Sequence, residues 1–122
     1  MKIDLYIGGH AQGKEELVRN KYDSSALIIN ELHIWIRERL EGMYKDNADM
    51  TVLTDDISNM LWDIINSNDK VVIISDEIGG GIVPIDSFDR CWREVTGRVL
   101  TRLAGKADNV YRVICGMEQK IK

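Results

Sequence analysis

Ile7-Gly8-Gly9-His10-Ala11-Gln12-Gly13-Lys14 is the stretch on which the fold turns. It follows an apolar run, Lys2-Ile-Asp-Leu-Tyr-Ile7, and leads into Glu15-Glu16-Leu17-Val18, a segment that suits a helix. A strand, a turn spaced G-x-x-x-x-G-K and a helix together make the context of a phosphate-binding loop. In such a loop, backbone N–H groups converge on a phosphate, glycines supply positive φ, and the helix N-terminus adds a favourable field. Lys14 is then placed to reach the outer phosphates of a nucleotide and to act in catalysis. On this reading Gly8, Gly9, His10, Ala11, Gln12, Gly13, Lys14 and Glu15 line the nucleotide site.

The residue after the lysine is ordinarily Ser or Thr, whose hydroxyl binds Mg²⁺. Here it is Glu15, which can ligate Mg²⁺ in principle but also repels phosphate. The plainer alternative is a strand-to-helix turn in which Glu15 and Glu16 only complement the helix dipole. His10 either touches a phosphate or substrate, or fills a permissive position in the turn. His33 reads as a structural histidine, half-buried or facing solvent.

Working outward, the first helix should start near Gly13-Lys14 and end before Asp23. Ala26 to Ile29 reads as a buried strand, and Leu32, Trp35, Ile36, Leu40 and Met43 recur as one helical face. Met50 to Leu53 suits a short strand or a loop, with Thr54 capping a following helix whose stripe is Ile57, Leu61, Ile64 and Ile65. Val71 to Ile74 is the clearest buried strand. Phe88, Trp92, Val95, Val99 and Leu103 mark the longest helix, with Gly105 its expected stop, and Val110 to Cys115 forms a last strand. Strands separated by helix-length segments imply an α/β protein built on a mostly parallel sheet. The expected fold is a P-loop NTPase-like three-layer arrangement, with residues 1–122 as one domain.

The counts narrow the function classes. Sixteen Lys and Arg against twenty Asp and Glu leave a net charge of −4, without the basic field that nucleic-acid coating requires. No apolar run is long enough to span a membrane. Cys91 and Cys115 match no zinc or redox spacing, so two reduced, buried thiols in a cytoplasmic protein are expected.

Val71 to Ile74 runs into Ser75-Asp76-Glu77, which puts carboxylates at the C-terminal edge of a parallel strand, where α/β sheets bind ligands. Asp76 or Glu77 can hold Mg²⁺, directly or through water, or orient a substrate hydroxyl, with Asp76 the metal candidate and Glu77 the catalytic one. The alternative is a pair of acids that ends a strand and faces solvent. Gly79-Gly80-Gly81 and Pro84 then form a flexible turn with a rigid stop.

The order of these motifs resembles the bifunctional adenosylcobinamide kinase/adenosylcobinamide-phosphate guanylyltransferase family of cobalamin biosynthesis. The likeness is carried by Gly8 to Lys14, by Leu27 to Ile36 (LIINELHIWI), by Glu77 to Pro84, by Thr96-Gly97-Arg98 and by Val110 to Gly116. It implies phosphoryl transfer from ATP or GTP to the hydroxyl of adenosylcobinamide, with a nucleotide and a corrinoid as partners and a homo-oligomeric assembly. It further implies that Glu77 lies at the site edge and that Gly79 and Gly81 shape the substrate loop. The chain departs from the family at Glu15, at Asn30 (where the family has Asp) and at Asp76 (where it has Asn). The family's segment with the guanylylated histidine also has no counterpart here. Neither His10 nor His33 matches that histidine, which implies that guanylyl transfer by the family's route is lost, while Glu15 and Asn30 alter the family's two metal contacts. The competing expectation is a non-catalytic nucleotide- or corrinoid-binding relative or partner subunit.

Overall fold

Alternation along the first strand dictates the layering. In β1 (Lys2–Gly8), Ile3 and Leu5 point to one face of the sheet and Asp4 and Tyr6 to the other, all four buried. A strand covered on both faces needs helices on both faces. The structure, a computed structural model describing residues 1–122, supplies them: α1 (Lys14–Lys21) on one side, and α2 (Leu32–Glu41), α3 (Met50–Asn66) and α4 (Ser87–Lys106) on the other. The remaining strands are β2 (Leu27–Ile29), β3 (Lys70–Asp76), β4 (Asn109–Ile114) and β5 (Met117–Lys120). Their order is β2-β3-β1-β4-β5, parallel except for the β4–β5 hairpin. The α/β, mostly parallel, P-loop NTPase-like fold is as expected.

The two faces bury unequal cores. Ile3, Leu5, Val71, Ile73 and Val110 pack under α2, α3 and α4 in a cluster of seventeen buried residues. Tyr6, Val72, Ile74 and Val113 meet Val18 of α1 in a cluster of five. The smaller face also holds a charge. The carboxylate of Asp4 is 3% exposed and accepts bonds from the Tyr22 hydroxyl at 2.5 Å and from Asn109 Nδ2 at 2.8 Å. Both partners are needed there, because an unpaired buried carboxylate is costly. Burial, followed by the bond to Asp4, pushes the Tyr22 hydroxyl well above the usual tyrosine range.

Several local expectations are corrected. Met50 to Leu53 is neither strand nor loop but the first turn of α3, because the Asp49 side chain accepts from Thr51 N–H at 2.8 Å and caps the helix there. Thr54 is therefore inside the helix, donating its hydroxyl to Met50 O at 2.7 Å. Ile64 lies on the exposed side of α3 rather than in its buried stripe. The last helix continues through Gly105 to Lys106 and stops where Ala107 turns extended. Cys91 is buried as expected, whereas Cys115 is exposed in the β4–β5 turn. His33 is buried at 6% exposure. No helix is long and apolar enough to cross a membrane.

Candidate functional site

The chain leaves β1 toward β2 and leaves β3 toward β4, so these neighbouring strands send their connections in opposite directions. Such a switch opens a crevice beyond the strands' C-terminal ends. In the β1–β3 register Gly8 faces Asp76, so the glycine loop and the acidic strand end meet in that crevice. The following residue, Glu77, donates its N–H to Gly8 O at 2.8 Å and clamps the loop's entry.

The loop is held in shape by backbone conformation and by the far hairpin. Gly13, at φ 85°, is left-handed and opens α1, where the first N–H groups have no intrahelical acceptor. Ala11, Glu31 and Cys115 are the non-glycine residues with positive φ, and all three flank this region, as strained residues at binding sites often do. The turn after β4 latches the loop. Gly116 N–H donates to Gln12 O at 2.7 Å, and Cys115 N–H donates to Gln12 Oε1 at 2.8 Å. A Cβ on Gly13 would come within 3.3 Å of Gly116 Cα, so the latch also fits closely.

Asp76 is the electrostatic centre. Lys14, only 6% exposed, donates from Nζ to Gly9 O at 2.6 Å and pairs with Asp76 Oδ1 at 2.8 Å. The other oxygen, Oδ2, has His33 Nε2 at 3.4 Å and His10 Nδ1 at 3.3 Å. His33 Nδ1 accepts the Asp76 backbone N–H at 3.1 Å, which leaves its proton on Nε2, facing the carboxylate. Trp92 Nε1 donates to His33 O at 2.7 Å and ties α4 to the same corner. Burial works to raise the Asp76 pKa, but the bond from Lys14, the charges of His33 and Lys14, and the bond from His10 hold it below the usual carboxylate range. Burial also pushes the His33 imidazole below its ordinary value of 6.5, against the pull of Asp76. At neutral pH the pair is thus a carboxylate and a neutral ring.

An open cleft of about 610 Å³ covers this centre. It is lined by His10 to Glu16 of the loop and first turn, by Asp76, and by His33, Asn30, Ile34, Ile78 and Trp92. Of the sequence-derived candidates, His10, Ala11, Gln12, Gly13, Lys14, Glu15 and Asp76 are brought together here. Gly8 and Gly9 do not line the cleft: Gly8 is buried against β4, and the Gly9 carbonyl accepts from Lys14. Glu77 is exposed and outside the cleft wall, while Gly79 and Gly81 belong to the neighbouring turn, where Arg93 grips the carbonyls of residues 79, 81 and 82. Sequence reasoning missed His33 and Trp92 as cleft residues. The available signal was the place of His33 at the start of a helix that follows the C-terminal end of a parallel strand.

The charges of the cleft are unbalanced: one lysine faces the carboxylates of Glu15, Glu16, Glu31 and Asp76. No three His, Cys, Asp or Glu side chains stand close enough together to hold a metal ion by themselves. Mg²⁺ generally needs only one or two carboxylates when phosphates and waters complete its shell. Asp76 is poorly suited to that role, because both its oxygens already have protein partners. Glu15, on the cleft wall and half-exposed, is free to turn from its surface pair with Arg19 at 3.1 Å.

The sequence model of CobU, cobinamide kinase/cobinamide phosphate guanyltransferase, matches residues 8–121. The chain belongs to this family. Among curated relatives, the bifunctional adenosylcobalamin biosynthesis protein CobU of Salmonella typhimurium is 47% identical over 53 residues, and that of Escherichia coli is 43% identical over 53 residues. Each alignment covers 43% of this chain and 29% of the relative. The matched stretch thus spans less than a third of either relative's length.

Proposed function

We propose that the chain binds ATP or GTP through the Gly8–Lys14 loop and transfers the terminal phosphoryl group to the hydroxyl of a cobinamide. The observation that carries this reading is the buried Lys14, held by Gly9 O and Asp76 at the mouth of a loop that opens a helix. The loop N–H groups and the first turn of α1 cradle the phosphates, and Lys14 exchanges Gly9 O for phosphate oxygens while keeping its pair with Asp76. Its charge is then opposite the outer phosphates, where charge spreads in the transition state. With four carboxylates around one lysine, a triphosphate needs its own counter-ion. Mg²⁺ supplies that charge neutralisation when bound, and Glu15 is the side chain that would hold it. Ile34, Ile78 and Trp92 give the acceptor an apolar wall.

Guanylyl transfer through a covalent histidine is not part of this reading for His33, since its two ring nitrogens are turned toward Asp76. A second reading, nucleotide binding without transfer, is favoured by one observation: a carboxylate, Glu15, occupies the position after the loop lysine. The two readings part when the chain is incubated with γ-labelled ATP or GTP, Mg²⁺ and adenosylcobinamide. Label in the corrinoid product supports the kinase. Nucleotide binding with no labelled corrinoid supports the second reading.

A further inference from the structure

We infer that His10, oriented by Asp76, is the general base that takes the proton of the acceptor hydroxyl. This deepens the kinase reading above and rests on it.

Three geometric facts point to this role. First, His10 Nδ1 lies 3.3 Å from Asp76 Oδ2, and an ionised carboxylate only accepts hydrogen bonds, so Nδ1 carries the proton. The lone pair is then on Nε2, which has no partner in the protein. Second, Asp76 is itself fixed. Lys14 holds Oδ1 at 2.8 Å, His33 Nε2 stands 3.4 Å from Oδ2, and His33 Nδ1 accepts the Asp76 N–H. A carboxylate that fixes the tautomer and direction of an imidazole, leaving Nε2 as the base, is the logic of hydrolase triads. Third, His10 lies within the phosphate loop itself, lines the cleft and is 92% exposed, so an acceptor bound against the outer phosphate can reach it.

His33 cannot take this role. Its Nδ1 is spent on a backbone N–H and its ring is buried, so it acts as a positioning residue for Asp76. The groups that face His10 are Asp76 from β3, Lys14 from α1 and His33 from α2, with Glu31 beyond His33 and Glu15 and Glu16 on the same wall. In the step itself, the acceptor oxygen forms a bond to the γ-phosphorus. The bond from that phosphorus to the β–γ bridging oxygen breaks, and its electron pair leaves with the nucleoside diphosphate. The hydroxyl proton passes to His10 Nε2 and then to solvent.

The test is His10→Ala, at a site too exposed to threaten the fold. Single-turnover transfer from γ-labelled ATP or GTP to adenosylcobinamide is followed across pH, with and without added imidazole, alongside nucleotide titration by calorimetry. Loss of a general base should lower the rate by about 10²-fold or more. The acidic limb of the pH–rate profile should flatten, and free imidazole should restore part of the rate, which a merely structural role would not produce. A variant that transfers at the wild-type rate overturns the assignment, as does a slowed one that imidazole never rescues. In both cases wild-type turnover leaves the kinase reading standing. A wild-type chain that binds nucleotide but transfers nothing overturns both that reading and the base.

Discussion

Gly8 is the residue at which the fold and the candidate site can be separated most cleanly by mutation. It ends β1 and faces Asp76, and a Cβ added there would lie 2.5 Å from the backbone oxygen of Val113 in β4. Ordinary contacts begin at 3.4 Å, so β1 and β4 must part by roughly an ångström just where the loop begins. A backbone carbonyl in a paired strand cannot rotate away as a side chain would. Overpacking of this kind costs about 1–3 kcal/mol. For a domain of this size that is a fall in Tm of roughly 4–12 °C. Gly9→Ala is the matched control. Its Cβ would meet only the side chain of Gln12, at 3.7 Å, and the change should stay within about 0.5 kcal/mol. Urea unfolding followed by circular dichroism, with equal slopes for all three proteins, gives the comparison directly. Gly8→Ala as stable as Gly9→Ala would refute the close β1–β4 approach on which the loop's placement rests.

The hairpin latch and the buried histidine give two more expectations. Gln12→Ala removes the acceptor for Cys115 N–H and should cost about 0.5–1.5 kcal/mol, with faster hydrogen exchange at the Cys115 amide than in the wild type. Unchanged exchange there would mean that the latch is not closed in solution. Burial lowers the His33 pKa, so the unfolded chain binds the extra proton first as pH falls. Its contribution to stability is fully present above its ordinary value of 6.5 and is lost as pH falls from there through the depressed folded value. His33→Gln should flatten that part of the stability–pH curve, and an identical curve would show that folding does not shift the ring's pKa.

Much of the architecture was legible because the chain states it locally. The apolar runs of β1 and β3, the helical stripe of α4 and the G-x-x-x-x-G-K spacing each announce an element within a few residues. Part of what escaped detection depends on partners distant in sequence, and part on local caps and backbone conformation. The four residues of β5 are all exposed and show no apolar alternation, so only their pairing with β4 makes them a strand. Met50 to Leu53 is apolar enough for a strand, and the Asp49 cap alone decides for helix. Gly105 resembles a stop but adopts no left-handed conformation, and α4 runs past it. At the site, Lys14 and the loop were readable, as was an acid at the end of β3. The gathering of Lys14, His10 and His33 around one carboxylate was not, because it joins positions up to 66 residues apart. Glu77, equal to Asp76 as a candidate in sequence, is directed out of the cleft by the alternation of the strand end.

The central claim is that the Gly8–Lys14 loop is a nucleotide site served by Lys14. Calorimetric titration of the wild-type chain and Lys14→Ala with ATP and with GTP, in the presence of Mg²⁺, tests it most directly, with circular dichroism to confirm that both chains are folded. Loss of a charged hydrogen-bond donor to phosphate is worth about 1.5–3 kcal/mol, so the variant should bind roughly 10- to 150-fold more weakly. Wild-type protein that takes up neither nucleotide, or a Lys14→Ala chain that binds as tightly as the wild type, would contradict the account.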